Sequence, residues 1–459
     1  MSVKNEEELI ENAETPELEK AREVLIEIVN EAIASVNPSS AVHHRLRLEG
    51  EKLIVGNQEF DLSETGKIIV AGGGKASGKM AEALEEILGY KITEGVINIP
   101  EGTASKYNLG KIELVEAGHP LPTEGSVRGA EKIMGLVSDL DSQDLVICLL
   151  SGGGSALMTL PVDGVTLDEL QETTQLLLKS GASIQEVNSV RKHLSKIKGG
   201  QLARAIHPAR SITLIISDVV GDRLDTIASG PTYPDSTTYP DALEVIEKYG
   251  LTNQVPESVS KRLKSGVEGK APETPKPEDE CFSNAVHEII ASNSDAVKAA
   301  EAVGKSHGFN VSILTTKMQG EAREVGSELA DIAKKVIEKR EPVSRPTLLI
   351  SGGETTVTVK GEGKGGRNQE LTLSAAMNIA GLEKVTVASF STDGVDGPTD
   401  AAGAVADGFT LERAEQSGLN PENYLERNDS YNFFKEIGEL IIIGPTRTNV
   451  MDVTVLFVG

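Results

Sequence analysis

Two stretches of this sequence end an apolar run in Ser-Gly-Gly. Leu145 to Pro161 reads LVICLLSGGGSALMTLP, and Thr347 to Thr356 reads TLLISGGETT. The six apolar residues Leu145–Leu150 are too few for a helix and suit a strand buried on both faces of a parallel sheet. Glycines, lacking Cβ, then let the backbone turn sharply and another molecule come close. Ligands of open α/β sheets lie just beyond the carboxyl ends of the strands. Ser151, Gly152, Gly153 and Ser155 therefore form a candidate binding loop. A single such loop reads equally well as a bare strand-to-helix turn; its echo at Gly352 and Gly353 favours a site.

Charged residues lie beside these and similar loops. GGKASGK, Gly73–Lys79, fits G-x-x-x-x-G-K, but Met80 stands where a P-loop needs a hydroxyl for Mg²⁺, so that reading is rejected. Lys75 stands where a helix begins and backbone N–H groups favour an anion, so it could hold a carboxylate or phosphate, or be an exposed cap lysine. GEGKGG, Gly361–Gly366, matches G-x-G-x-x-G, yet the acidic residue expected about 20 positions on falls near Ala388, and Asp393 is late. Lys364 and Arg367 beside it suit a polyphosphate. Asp218 and Asp222 in SDVVGD, Glu354 in SGGE, and Asp393, Asp396 and Asp400 in STDGVDGPTD all follow strand ends. Such carboxylates could bind Mg²⁺ or act as a base; each is also an ordinary turn former. Asn188, Arg191 and Lys192 share one helix face, either a polar pocket wall or a solvated surface. His119 in GHPLP has no partner at metal or triad spacing and is read as structural.

Alternating strands and helices must position these loops. Lys67–Ala71, Val96–Ile99, Ile112–Val115, Leu145–Leu150 and Ser211–Ile216 read as strands, with helices from Ser77, Thr123, Thr166 and Ile184 between them. A helical stripe, Glu17–Val36, precedes them, and Lys52–Leu62 reads as a hairpin. This is the pattern of a doubly wound α/β domain. Pro-, Ser- and Thr-rich sequence between about 235 and 285 marks a boundary. The alternation then restarts, with strands at Glu288–Ala291, Val311–Thr315, Thr347 onward, Thr356–Val359, Lys384–Phe390, Leu440–Ile443 and Asp452–Val458.

At 459 residues more than one domain is expected. No apolar run approaches the ~20 residues of a membrane span. The acidic N-terminus lacks an apolar signal region, and only Cys148 and Cys281 occur, so the expected compartment is the cytoplasm. A formal charge of −25 argues against nucleic acid and anionic membranes as partners. An anionic substrate would need local cations to oppose that field.

Together the stretches resemble one family, the class II glycerate kinases, which join an N-terminal kinase-associated domain to a C-terminal MOFRL domain. The residues that carry the resemblance are GGGKAS at 72–77, GHPLP at 118–122, LLSGGGSAL at 149–157, NSVRKHLSKIKGG at 188–200, SDVVGD at 217–222, ASGPT at 228–232, SGGETTV at 351–357, GGRNQE at 365–370, STDGVDGPTDAAGA at 391–404 and GPTRTNVMD at 444–452. They run in order over nearly the whole chain from about residue 15. One departure is Arg447, where the pattern has glycine.

The resemblance implies two domains, each with a mostly parallel sheet flanked by helices. A Rossmann-like domain would span 1–240, a linker 241–284, and a smaller MOFRL domain 285–459, whose last strands could return to the first. It implies ATP- and Mg²⁺-dependent phosphorylation of D-glycerate in a cleft between the domains, to 2-phosphoglycerate in preference to 3-phosphoglycerate. Lys75, Asp218 and Arg367 take the roles of catalytic cation, base or Mg²⁺ organiser, and second cation. Ser151, Gly152, Gly153, Ser155, Asn188 and Arg191 are assigned to substrate, with Arg191 on its carboxylate. Gly352, Gly353, Glu354, Lys364, Gly365, Gly366 and Asn368 are assigned to the nucleotide, and Asp222, Asp393 and Asp396 to the metal. A homodimer is left open. The rival readings are an NAD(P)H-dependent hydroxypyruvate reductase, a label that relatives of this family often carry, and a non-catalytic nucleotide-binding regulator.

Overall fold

The computed structural model describes residues 2–339 and 343–459. It divides into two compact α/β units, one of Pro38–Ile290 and one of Met1–Asn37 with Ala291–Gly459.

In the Pro38–Ile290 unit, β1 (Leu46–Glu49), β2 (Lys52–Val55) and β3 (Gln58–Asp61) form a small antiparallel sheet. The main sheet contains β4 (Ile68–Gly73), β5 (Glu94–Pro100), β6 (Ile112–Ala117), β7 (Leu145–Leu150), β8 (Arg210–Ile216) and β9 (Ala285–Ala291). Its order is β6-β5-β4-β7-β8-β9, and the pairs from β6 to β8 are parallel. Every residue of β4 and β7 is buried, as helices on both faces require. The chain runs outward from β4 through β5 to β6, then restarts at β7 and runs the other way. The carboxyl ends of β4 and β7 therefore meet at a topological switch point.

The region expected as a linker, 241–284, is part of this unit. Helices Tyr239–Lys248 and Glu257–Val267 bury Ala242, Val245, Ile246, Val259 and Leu263 in one cluster with Val187 and Val190. The Pro- and Thr-rich composition that suggested a linker is in part a helix start. Thr238 and Asp241 form a capping box, and Pro240 lies in the first turn, where its missing N–H is harmless.

The second unit's sheet has the order β10-β11-β15-β12-β13-β14. Its strands are β10 (Asn310–Met318), β11 (Thr347–Gly353), β12 (Val385–Ser391), β13 (Gly403–Asp407), β14 (Leu440–Ile441) and β15 (Asp452–Val458). It is mixed rather than mostly parallel: β10 and β11 are parallel, whereas β15 runs antiparallel to both β11 and β12. The last strand thus fills the middle of this sheet and does not return to the first unit. β13 was hidden in a Gly- and Asp-rich stretch that reads as loop. Thr356–Val359, expected as a strand, makes only a single bridge, Thr356 to Glu321.

Residues 1–37, expected with the first domain, belong to this second unit. Thr15 caps helix Pro16–Ser35 by accepting from Leu18 N. Arg22 on that helix is fully buried and binds Asp407 (Nη2–Oδ2 2.5 Å) and Glu439 (2.6 Å). Arg413 joins the same two carboxylates at 2.7 and 2.6 Å. Upstream, Asn5 and Asn12 donate to the carbonyls of Leu440, Ile437 and Gly438.

Candidate active site

The strand-end loops of the first unit interlock. Lys75 N donates to Gly152 O at 2.8 Å, and Ala76 N to Ser151 Oγ at 3.0 Å. Glycine is required for this approach: a Cβ on Gly74, whose φ is +154°, would lie 2.1 Å from Ser151 Oγ. Ser151 is buried, and its hydroxyl ties the two loops together beneath the site, so it is not placed to touch a ligand. Gly152 lies against Asp218 at the end of β8, where a Cβ would come within 2.3 Å of Oδ2. Gly153 lies against the His119 ring and the Lys75 stem. Burial pushes the Asp218 carboxyl above its ordinary value, and the Lys75 charge opposes that rise. The Lys75 ammonium makes no ion pair among the described residues.

Past Gly153 the loop enters a second polar cluster. Ser155 Oγ bonds Ser229 Oγ, and Ser229 Oγ donates to Asn188 Oδ1 at 3.1 Å. Ser229 and Ala228 hold φ of +62° and +51°, a strained conformation for non-glycine residues. Lys198 Nζ is fully buried and donates to Ser155 O and Met158 O, each at 2.6 Å. Burial, then the nearby Arg191 charge, holds the Lys198 pKa well below its ordinary value. Arg191 is largely withdrawn from solvent, its pKa is lowered by burial, and no carboxylate pairs with it among the described residues. The loop Ser151–Ser155 thus runs from Lys75, through Ser155 and Ser229, toward Asn188 on the helix that carries Arg191. Asn188 and Arg191 are held by helix Ile184–His193, which Ser183 and Glu186 open with a capping box.

In the second unit, Arg367 opens helix Arg367–Ile379 and is gripped on two sides. Its Nε and Nη2 bind Asp452 at 2.5 and 2.8 Å, and its Nη1 binds Glu354 at 2.8 Å. Burial disfavours the charge, but Asp452, Glu354 and Asp396 outweigh it and raise the pKa of the guanidinium. Asp396 accepts from the backbone and side-chain nitrogens of both Asn368 and Gln369. It caps this helix from outside. Burial and the Asp452 charge push its carboxyl up to about 6. Beside Arg367 is a cavity of about 510 Å³ lined by Glu354, Val357, Gly365, Gly366, Arg367, Glu370, Pro398 and Asn428, among others. Its volume and mixed lining suit a small organic ligand.

Residues 24–264 match the family described as "Domain of unknown function (DUF4147)", and residues 347–452 match the MOFRL family. The D-glycerate 2-kinase of Thermotoga maritima is 45% identical over 95% of this chain and 98% of that protein. A protein of Agrobacterium vitis named putative hydroxypyruvate reductase is 41% identical over 96% of this chain and 95% of its own length. The crystal structure of glycerate kinase from Thermotoga maritima superposes with a TM-score of 0.85 at 43% identity, covering 96% of this chain and 100% of that one. The chain belongs to the class II glycerate kinase family.

For a glycerate kinase, the expected nucleotide residues divide in two. Glu354, Gly365 and Gly366 line the cavity. Gly352 and Gly353 are instead packed inside β11, against Asn293 and Met318, and Asn368 is buried behind the helix start. Lys364 lies over the Tyr431 ring at 4.1 Å. Among the metal candidates, Asp396 does not fit as a ligand because donors occupy both its oxygens. Asp393 Oδ1 accepts from Ser391 and Val395, and Asp222 keeps a buried Oδ1 with no donor. No group of three or more metal-binding side chains occurs among the described residues.

The residue reading missed Lys198, Asp452 and the Glu370–Asn428 wall of the cavity. Asp452 had a signal: an acidic residue opening the apolar strand DVTVLFV needs a partner if it is buried. Arg447 stands at φ +64°, the left-handed region that favours the glycine expected there.

Proposed function

We propose that the chain transfers the γ-phosphoryl group of ATP to the 2-hydroxyl of D-glycerate. The observation that carries this reading is a pair of cations, Lys75 at a strand end and Arg191 on helix Ile184–His193, neither of which makes an ion pair among the described residues of a strongly acidic chain. A half-buried guanidinium without a carboxylate is costly and calls for an anionic ligand. Its planar fork matches the glycerate carboxylate, with Asn188 on the same helix and Ser155 linked to Asn188 through Ser229. Lys75 stabilises charge on the transferred group, which is most of what phosphoryl transfer asks of a protein. Asp218, raised in pKa by burial, accepts the proton of the attacking hydroxyl. The cavity beside Arg367 suits the nucleotide, with Val357 and Pro398 as apolar wall and Gly365 and Gly366 allowing close approach of backbone. Magnesium, when bound, neutralises phosphate charge. The choice of the 2-hydroxyl is supported by the name of the Thermotoga relative. Free Cys148 and Cys281 accord with a cytoplasmic setting.

The reductase reading finds no support in the GEGKGG loop. Among the described residues no strand leads directly into it, and Gly361 and Gly363 are packed against Arg427 and Asp429 rather than shaping a dinucleotide turn. The test is to incubate the protein with D-glycerate, ATP and Mg²⁺ and resolve the products by ³¹P NMR. A 2-phosphoglycerate signal is expected. No phosphorylated product, with NAD(P)H oxidation on adding hydroxypyruvate, would replace this reading with the reductase.

A further inference from the structure

His119, read from sequence as structural, stands in the substrate region of the first unit. It follows β6 in a loop pinned at its base, where Gly118 N donates to Thr123 Oγ1 at 2.9 Å and Thr123 caps helix Glu124–Leu136. The loop is compact: a Cβ on Gly118 would lie 2.4 Å from Thr123 Cγ2. The imidazole is thereby laid over Gly153. A Cβ built there would be 2.9 Å from His119 Cδ2, 3.1 Å from Nε2 and 3.3 Å from Lys75 Cγ. Ring and lysine flank the same glycine.

The side chain does not behave as a packing residue. It is exposed, and neither ring nitrogen hydrogen-bonds any described residue. His193 shows the contrast: it is buried, with Nδ1 on Ser189 O at 2.7 Å and Nε2 on Glu273 at 2.8 Å. Although His119 is exposed, partial burial of its ring and then the Lys75 charge push its pKa down to about 4. At neutral pH it carries one donor and one acceptor nitrogen and does not repel Lys75. That pairing complements a hydroxyl, which also donates and accepts.

We propose that His119 is a substrate-binding residue whose imidazole hydrogen-bonds the acceptor hydroxyl that is not phosphorylated, so that the site selects a 2,3-dihydroxy acid over a 2-monohydroxy acid. The inference rests on the reading of this unit as the D-glycerate site. With phosphate going to the 2-hydroxyl, His119 holds the 3-hydroxyl, and D-lactate is the acid that lacks it.

The test measures kcat/KM for D-glycerate and calorimetric Kd for D-glycerate and D-lactate, in the wild type, His119→Ala and His119→Gln. His119→Ala is expected to lose about 10- to 100-fold in kcat/KM and in affinity for D-glycerate, the range for one hydrogen bond to a committed polar partner. Its affinity for D-lactate should match that of the wild type, and KM for ATP should not move. His119→Gln, which keeps a donor and an acceptor, should recover part of the loss, which a general loss of packing would not allow. Equal D-glycerate affinity in His119→Ala and wild type, or an equal loss toward both acids, overturns the proposal. If the wild type shows no kinase activity the broader reading fails separately, and the calorimetric comparison still decides the role of His119.

Discussion

The two arginines assigned to the reaction are treated in opposite ways by the fold. Arg191 in the first unit is withdrawn from solvent with no carboxylate against it and with Lys198 as a cationic neighbour. Arg367 in the second unit is bound by Asp452 along one edge and by Glu354 at the remaining nitrogen. Burial lowers the pKa of the first, whereas the carboxylates raise that of the second. A guanidinium largely withdrawn from solvent and left unpaired is destabilising, so its natural partner is a ligand. A guanidinium already satisfied along its fork cannot grip a second carboxylate the same way. It serves better as an oriented charge fixed before the reaction begins. The comparison separates binding from catalysis: Arg191 should govern KM for the acid, and Arg367 should govern kcat.

The largest expected effect is at Lys75. Lys75→Ala should lower kcat by about 10³-fold, the scale of one charge-stabilising group in a preorganised site. Its thermal melt should be unchanged, because the side chain makes no ion pair that the fold depends on. Near-wild-type kcat would remove Lys75 from the chemistry and leave the first unit as a binding site alone. Next comes Arg191→Ala, with KM for D-glycerate rising about 100-fold and kcat little changed, as for a lost charge-assisted contact. Arg191→Lys should recover only part of this, since an ammonium lacks the fork. A fall in kcat without a rise in KM would collapse the distinction between the two arginines.

Much of this contrast was legible in the sequence, and the part that was not has physical causes. Burial on both faces writes β4 and β7 as unbroken apolar runs, so their ends, and Lys75 and Gly152 with them, could be placed from sequence. Arg367 beside GEGKGG was legible as a cation, but its grip by Asp452 joins residues 85 positions apart. Asp396 and Asp222 looked alike as acidic turn residues. Only the position of Asn368 and Gln369 shows that Asp396 caps a helix. The stripe of helix Pro16–Ser35 shows which face is buried but not what covers it. Arg22 within that apolar face was the clue, and it has meaning only once Asp407 and Glu439 are beside it. β13 was missed because small residues between glycines carry little strand signal, yet every residue from Gly403 to Asp407 is buried.

Two smaller effects probe how each arginine is held. Asp452→Asn keeps the shape of the partner and removes its charge, so Arg367 should be held more loosely. A drop of about tenfold in kcat is expected, with KM for D-glycerate unchanged, since misplacing a positioned group costs turnover rather than binding of the other substrate. If KM for the acid rose instead, Arg367 rather than Arg191 would be reading the carboxylate.

The smallest effect concerns the helix that carries Arg191. Glu186 accepts from Ser183 N and Oγ at 2.8 Å each, and from Lys248 and Tyr249. The hydrogen bond from Lys248, then those from Ser183, hold its carboxyl at about 2, below the ordinary 4.5. A carboxyl depressed in the folded state stabilises the fold above the unfolded pKa. That contribution is lost as pH falls from about 4.5 through about 2. Glu186→Gln should therefore cost about 1 kcal/mol at neutral pH, the usual worth of such a cap. The difference from wild type should shrink steadily on acidification across that window, read by denaturant melts at successive pH values. A constant difference across the window would mean that the cap acts through shape alone. A rise in KM for D-glycerate in Glu186→Gln would tie the helix start directly to the placing of Arg191.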